Sequence, residues 1–208
     1  MLARGLGNVA LVHGDLMRVS QLGRRFDYIV AGGVLHHLAD PITGWRALIE
    51  VLAPDGLMQI GLYSERGRRP VAEAQAVIKA RRIGSSDEAI RGFRRAVLEA
   101  PADSPLSPLV RYADFYDLHG CRDLLFNVVE HRFDLPGLEA TLEALDLEFL
   151  GFSLPAPEIA QRYAGRFPED PLMRSLANWH ALELEQPDLF ASMYQFWCRR
   201  RAMGTAPP

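Results

Sequence analysis

The sequence contains little of several features that would mark particular classes of protein. Only two cysteines, Cys121 and Cys198, occur among 208 residues, which favours two reduced, buried thiols over a disulfide. No apolar run approaches the ~20 residues that a membrane span requires. The first residues also lack the basic region, apolar stretch and cleavage site of a secretory signal. These absences favour a cytoplasmic protein that does not act at a membrane.

Other absences concern ligands. The sequence has no dinucleotide fingerprint of the form G-x-G-x-x-G, which disfavours a nicotinamide-dependent dehydrogenase. The net charge is −3 and no aromatic residues alternate with the basic ones, so nucleic acid is disfavoured as a partner. Beside the pair His36 and His37, no second cluster supplies metal-ligand side chains, so no metal site is predicted.

What the sequence does contain is a strand, helix and second strand in residues 26–63. The β-branched and aromatic run Asp27–Ala31 is followed by two glycines that end a strand. Asp40 as N-cap and Pro41 at the first helical position then begin a helix. A Pro-Asp-Gly turn precedes a mostly apolar strand over 57–63. One helical face carries the apolar residues Ile42, Trp45, Leu48, Ile49 and Leu52. This pattern predicts a βαβ unit with a right-handed crossover.

The same segment resembles a known family. Its order, FD, four hydrophobic residues, GVLHHL, DP, a helix and a Pro-Asp-Gly turn, resembles the second half of the class I S-adenosylmethionine-dependent methyltransferase domain. Residues 9–15, VALVHGD, resemble the third strand of that family with its terminal acid. Residues 136–145, 147–152 and 190–197 are similar to its closing helix and last two strands. The resemblance implies an α/β fold, an incomplete Rossmann-like sheet that is mostly parallel with a final antiparallel strand, and a helical insert between strands five and six.

The resemblance also implies what is missing. In that family the methyl donor lies on a glycine-rich loop after the first strand, and an acid ending the second strand holds the ribose. Only the lone G-x-G of residues 5–7 precedes residue 9, so these parts have no counterpart. We therefore expect an N-terminally truncated methyltransferase in one domain, with strands three to five in 1–64, a lid-like insert in 65–135 and the closing elements in 136–208. The alternative is a non-catalytic remnant that acts as an interaction module.

The resemblance assigns contacts with S-adenosylmethionine to two places. Asp15 matches the acid that accepts a hydrogen bond from the adenine amino group, with Leu16 beside it. The loop after the fourth strand, where small residues let the backbone approach the methionine part of the donor, corresponds to Ala31, Gly32, Gly33 and Val34. A turn acid and a flexible strand exit are the respective alternatives. Without the glycine-rich loop, we expect this chain alone to bind the donor weakly or not at all.

Candidates for chemistry follow the predicted strands. His36 or His37 could take a proton from the attacking atom near neutral pH, although packing of the loop is the alternative. Substrate contacts are predicted in the aromatic and charged segment 112–133, from the side chains of His119, Arg122, His131 and Arg132. The sequence does not name the methyl acceptor.

Two surfaces are candidates for partners. Residues 66–95 contain nine basic residues against three acids, which is either an electropositive rim for an anionic ligand or an ordinary solvated surface. The predicted strand 26–31 has neither proline nor lysine to protect a free edge. Self-association through that edge is expected unless the strand predicted at 9–13 lies beside it.

Overall fold

The computed structural model describes residues 7–127 and 129–202, which form an α/β fold around a four-stranded mixed sheet. The strands, in chain order, are β1 (Phe26–Gly32), β2 (Leu52–Tyr63), β3 (Leu147–Phe152) and β4 (Met193–Arg200). Their order in the sheet is β1-β2-β4-β3, with β1 parallel to β2 and β4 antiparallel to both of its neighbours. The predicted final antiparallel strand is therefore β4.

The helices alternate with these strands and also fill the long connection between β2 and β3. The α-helices are α1 (Pro41–Val51), α2 (Arg69–Ala80), α3 (Asp87–Leu98), α4 (Leu118–Phe126), α5 (Leu135–Ala144), α6 (Pro157–Arg166) and α7 (Leu176–Glu185). Shorter 3-10 helices occupy Leu16–Leu22, Leu35–His37, Ser107–Arg111 and Ala113–Phe115. In the described part of the chain, no helix has the length and apolar character needed to cross a membrane.

The βαβ unit forms as its local signals predict. Asp40 caps α1, its Oδ1 accepting hydrogen bonds from the backbone N–H groups of Ile42 and Thr43 at 3.0 and 3.2 Å. Pro41 follows at the first helical position, where its missing N–H leaves no bond unmade. The helix buries Trp45 and Leu48 against the sheet, with the Trp45 ring 6.0 Å from that of Phe196 on β4.

Two local predictions need correction. Residues 9–13 form no strand, and Leu11 is 77% exposed, because no strand in the described residues lies beside β1 on that side to pair with this segment. The Pro54-Asp55-Gly56 sequence does not separate α1 from the next strand. It lies within β2, where the pairing with β1 shifts register between Phe26 and Tyr28.

The main core lies on one face of the sheet. Helices α1, α5 and α7 contribute to it, and so do alternate residues of the strands. The residues that the strands bury there are Ile29, Ala31, Met58, Ile60, Leu62, Leu147, Phe149, Tyr194, Phe196 and Cys198. Both cysteines are free and buried, as the composition predicted.

The opposite face of the sheet is open. Tyr28 and Val30 on β1 are 47% and 59% exposed. The Tyr28 hydroxyl donates to Gln59 Oε1 at 3.1 Å, and its ring lies 5.3 Å from that of Trp197. Parallel strands usually occur in sheets that are covered on both faces. This face therefore exposes apolar surface that a parallel βαβ unit would normally bury.

Helices α2, α3 and α4, which lie between β2 and α5, build a second, separate core. Ser86 caps α3 by accepting from the backbone N–H of Ala89. The apolar face of α3, Ile90, Phe93 and Val97, is buried in this second core. The other buried members are Val71, Ala74, Ile78, Leu109, Phe115, Cys121, Leu124 and Leu125. This helical segment packs around its own apolar centre, not against the sheet.

The free edge of β1 generates the first prediction. We expect the chain to self-associate, because within the described residues β1 pairs on one side only, and it carries exposed apolar residues with no lysine or proline. Size-exclusion chromatography with light scattering should give a mass that rises with concentration above 23.3 kDa. Val30→Lys should keep the chain monomeric, because association would bring two lysines to the same edge.

The matched control is Leu98→Lys, which changes an exposed leucine of α3 outside the sheet and should leave association unchanged. A wild-type chain that stays a folded monomer at millimolar concentration would contradict the prediction.

Candidate active site

The candidate site lies where β1 and β2 end side by side. β1 continues through Gly33 and Val34 into the 3-10 helix Leu35–His37, and β2 ends at Tyr63 before the chain turns into α2. In open α/β sheets, ligands bind beyond the carboxyl ends of parallel strands. These two strand ends bring His36, His37 and Tyr63 into contact with one another.

Tyr63 is held between two other side chains. The His36 ring stacks on it with centroids 3.7 Å apart and planes inclined by 26°. The guanidinium carbon of Arg68 lies 3.6 Å from the same Tyr63 centroid. Two groups this close to one centroid cannot share a face, so His36 and Arg68 lie on opposite faces of the phenol ring. The stack fixes the Tyr63 ring and leaves only its edge and hydroxyl available to a ligand.

Arg68 is itself paired with Glu130. Its Nε donates to Oε1 at 3.1 Å and its Nη2 to Oε2 at 2.6 Å, a bidentate arrangement. The two side chains are only 3% and 5% exposed. Removing either partner would leave an uncompensated buried charge, which costs about 3–5 kcal/mol. The pair fastens the segment after α4 to the residues that follow β2.

His36 is completely buried, and neither ring nitrogen has a hydrogen-bond partner of good geometry. Burial, followed by the neighbouring charges of His37, Arg68 and His131, lowers the pKa of His36 to about 3, although the Gly61 carbonyl acts in the opposite direction. His36 therefore stays neutral near pH 7. A buried imidazole with so low a pKa is a weak base, and its ring stacks on Tyr63, so the role of general base stays a prediction for His36.

His37 has a different environment. It is half-buried, and its Nδ1 lies 3.2 Å from the carbonyl oxygen of Val129. A carbonyl can only accept, so this contact places the proton on Nδ1 and leaves the lone pair on Nε2. The Asn127 amide nitrogen lies 3.4 Å from the same Nδ1, a contact that would need the opposite tautomer. The contact with Val129 is shorter, and the Asn127 amide donates to Asp123 at 3.3 Å, so the proton is assigned to Nδ1. Of the two predicted catalytic histidines, His37 is the one with an oriented, available nitrogen.

A strip of glycine backbone lies next to this cluster. Around Gly32 and Gly33, no atom lies within 4 Å of the place a Cβ would occupy, and Gly33 has φ +73°. At Gly61 the reverse holds, because a Cβ there would come within 3.0 Å of the Gly32 Cα. A cavity of about 310 Å³ opens over these glycines, with Val30, Gln59, Met193 and Gln195 among its lining residues. The strip lets a ligand approach the backbone closely.

The other predicted donor contacts are placed as follows. Ala31 points into the core, so only its backbone can face a ligand, whereas Val34 is exposed. Asp15 caps the 3-10 helix Leu16–Leu22, its Oδ1 accepting from the Met17 N–H at 3.0 Å. Leu16 packs against the main core. The assignment of Asp15 to the adenine therefore stays a prediction, for a carboxylate with one oxygen engaged locally.

The predicted substrate residues separate into two groups. His131 belongs to the site, since its backbone N–H donates to the His36 carbonyl at 2.9 Å. Arg122 donates to Asp87 at 2.6 Å and to Ser85 O at 3.4 Å, inside the helical segment. His119 is exposed on α4. Arg132 is exposed and borders a separate cleft of about 370 Å³ with Arg66 and Arg69. Only His131 is brought to the histidine cluster.

Sequence reasoning missed the polar residues that position the site. Glu183 on α7 is fully buried, and its Oε1 accepts from Ser64 Oγ at 3.0 Å and from the Tyr194 hydroxyl at 2.7 Å. Burial raises the pKa of Glu183. This network joins the end of β2 to α7 and β4. Arg68, Glu130 and Glu183 carry no local sequence signal, because their partners lie far away in the chain. Among the described residues, no group of three or more His, Cys, Asp or Glu side chains could hold a metal ion.

Known structures share the fold. PKMT2 from Rickettsia typhi superposes with a TM-score of 0.71 at 12% identity, covering 97% of this chain and 40% of PKMT2. The structure of PKMT2 in complex with AdoHcy superposes with a TM-score of 0.67 at 13% identity, covering 96% of this chain and 41% of that one. At these identities the likeness concerns the fold.

Sequence relatives match parts of the chain. An uncharacterized protein of Synechococcus is 35% identical over 147 residues, which are 67% of this chain and 35% of that protein. Demethylmenaquinone methyltransferase of Geobacillus kaustophilus is 38% identical over 55 residues, or 26% of this chain and 24% of the enzyme. No protein-family model matches the chain. The matches thus span about a third or less of these relatives and about two fifths of PKMT2.

Burial of His36 generates a prediction about stability. In the unfolded chain its pKa is 6.5 and in the folded chain about 3, so between these values the unfolded state binds the additional proton. The contribution of His36 to the free energy of unfolding is fully present above pH 6.5 and falls by about 1.4 kcal/mol per pH unit below it. His36→Phe should keep the fold and remove this part of the slope. Urea unfolding at pH 7.5, 6 and 5 measures the difference.

The matched control is His119→Phe, which replaces an exposed histidine and should retain the wild-type slope. Equal slopes for wild type and His36→Phe would show that the His36 ring is not sealed from solvent.

Proposed function

We propose that this chain forms the acceptor side of an S-adenosylmethionine-dependent methyltransferase, with methyl transfer at the carboxyl ends of β1 and β2. The observation that carries the proposal is the open glycine backbone of Gly32 and Gly33, which precedes the oriented His37 in the chain. It occurs on a fold shared with PKMT2, which has been solved with AdoHcy, the product that methyl transfer leaves. The short match to demethylmenaquinone methyltransferase supports the same reaction class.

The residues present fit a methyl donor in this position. When bound, S-adenosylmethionine supplies a methyl group on a positively charged sulfur. Backbone at Gly32 and Gly33 is open on the side where the methionine part would lie, as the resemblance implies. Transfer of this kind depends mainly on alignment and exclusion of water. The rigid stack around Tyr63 and the buried Arg68–Glu130 pair provide fixed walls for that alignment.

The helical segment 69–126 has the role of a cover over the acceptor in this proposal. Two contacts fasten it beside the site: Arg68, just before the segment, binds Glu130, just after it, and Tyr112 within the segment donates from its hydroxyl to Gly67 O at 2.9 Å. Because the segment has its own core, it can form a wall independently of the sheet. Asn127, Val129 and Glu130, which follow this segment, then border the site.

The donor site is incomplete within these 208 residues in our proposal. No glycine-rich loop follows a strand ahead of β1, and the acid that would hold the ribose has no counterpart. We propose that a strand and glycine-rich loop placed against the free edge of β1 complete the site. The carboxylate of Asp15 would then contact the adenine of the donor from the side opposite to that loop.

Calorimetric titration tests the proposal. We expect the chain alone to bind S-adenosylmethionine with a dissociation constant of about 1 mM or weaker, or not at all, since part of the predicted contact surface is absent. Adding a polypeptide that carries the first two strands and the glycine-rich loop of a class I methyltransferase should restore binding in the micromolar range. Gly32→Val should abolish the restored binding, because the side chain would occupy the open side of the strip.

Gly32→Val is a suitable probe because its side chain enters open space and valine favours a strand, so the fold should be retained. Affinity of the chain alone in the low micromolar range would show that the donor site is already complete. Absence of binding in the mixture would count against methyl transfer.

A further inference from the structure

Resting on the proposed function, we propose that the methyl acceptor is an uncharged planar compound with a phenol or enol hydroxyl, recognised by Nε2 of His37 and the hydroxyl of Tyr63. The evidence is the charge balance of the site, the orientation of His37 and the state of Tyr63.

The charges around the site are already paired. Both oxygens of Glu130 accept from Arg68, and both oxygens of Asp40 accept hydrogen bonds at the start of α1. Asp123 accepts from Asn127. Asp114, which also acts on Tyr63, is exposed and screened by water. The remaining enclosed carboxylate is Glu183, whose Oε2 has no partner in the described residues, but this side chain is fully buried behind Ser64 and Tyr194 and is closed to a ligand. No accessible carboxylate in the described part of this site is therefore left for a cationic acceptor such as an ammonium group.

The same holds for an anionic acceptor. The Arg68 guanidinium is enclosed, bound on one edge by Glu130 and covered on its face by Tyr63. A carboxylate ligand would have to compete with Glu130 for it. Because an unpaired charge is costly to bury, a site whose own charges are satisfied selects an uncharged ligand.

Two polar atoms can form hydrogen bonds with such a ligand. Nε2 of His37 is an acceptor, since the Val129 carbonyl holds the proton on Nδ1. The Tyr63 hydroxyl makes no hydrogen bond to the described residues, and burial raises the pKa of Tyr63, so it is protonated and can donate. The two rings stand at 88° with centroids 5.6 Å apart. A ligand hydroxyl between them would donate to His37 and accept from Tyr63.

The imidazole of His131 is the other titratable group close to the cluster, through its backbone bond to His36. Its ring makes no side-chain hydrogen bond within the described residues, so nothing orients it. His37 differs because its Nδ1 is anchored. This difference assigns the proton-accepting role to His37.

The chemical step balances with these groups alone. The acceptor oxygen forms a bond to the donor methyl carbon while the carbon–sulfur bond breaks, and the electron pair of that bond stays on sulfur, which becomes a neutral thioether. The hydroxyl proton moves to Nε2 of His37, which becomes an imidazolium. Tyr63 keeps its proton and holds the acceptor oxygen in place.

Ligand titration by NMR tests the inference without the donor. The probes are 4-methylphenol, 4-methylanisole, 4-methylbenzylammonium and 4-methylbenzoate, followed on the imidazole C–H resonances of the isotope-labelled chain. We expect 4-methylphenol to shift the His37 resonances and to bind about fivefold more tightly than each of the other probes, the ratio that one hydrogen bond supplies. His37→Ala should reduce that ratio to about one, and Tyr63→Phe should reduce it in part.

His119→Ala is the matched control and should preserve the phenol preference, since this histidine is exposed on α4. Amide spectra report whether each variant is folded. If His37→Ala does not fold, Tyr63→Phe still tests the inference, because it keeps the ring stack. Tighter binding of the ammonium or the carboxylate, or loss of the preference in His131→Ala but not in His37→Ala, would overturn the inference.

The outcome is separable from that of the donor titration. Phenol selectivity at His37 without donor binding in any mixture would support the inferred phenol site and refute methyl transfer. Donor binding without phenol selectivity would keep methyl transfer and refute the acceptor class.

Discussion

The placement of β2 is the constraint on which the rest of the structure depends. It is hydrogen-bonded along both edges, parallel to β1 and antiparallel to β4, so its position and register are fixed from two sides. Its buried alternate residues form the centre of the main core. Its last residue, Tyr63, and the following Ser64 then enter the two polar clusters that build the site. An error in its register would move the core and the site together.

The polar groups at the end of β2 position the site at an energetic cost. A buried bidentate pair such as Arg68–Glu130 adds little net stability compared with apolar residues of the same volume. Its directional bonds nevertheless restrict where the helical segment can lie, and they hold the guanidinium flat against Tyr63. The unpartnered nitrogens of His36 have a similar cost. Polar groups that do not stabilise the fold are concentrated at the place where we propose that chemistry occurs.

Local signals predicted the elements, and distant contacts determined the site. Asp40 and Pro41 specify the start of α1 through neighbouring N–H groups, so the sequence was sufficient there. The strand predicted at 9–13 failed because a strand needs a partner, and the apolar pattern of Val9 to Val12 cannot show whether one is present. Likewise, His37 was identified as a candidate, but its tautomer depends on Val129, 92 residues later. Periodicity and capping carry no information about contacts of that range.

The open face of the sheet and the glycine strip are parts of one surface. Val30 and Gln59 line the cavity over Gly32 and Gly33, and Val30 also belongs to the exposed face on which Tyr28 meets Trp197. Any chain segment that covers this face would also exclude water from the glycine strip. Exclusion of water would strengthen the polar contacts between the strip and a bound molecule. By thermodynamic linkage, a ligand bound on the strip would increase the affinity of the covering segment by the same factor by which that segment increases the affinity of the ligand. The association and the ligand binding that we propose would therefore be coupled equilibria, because one uncovered surface would serve both.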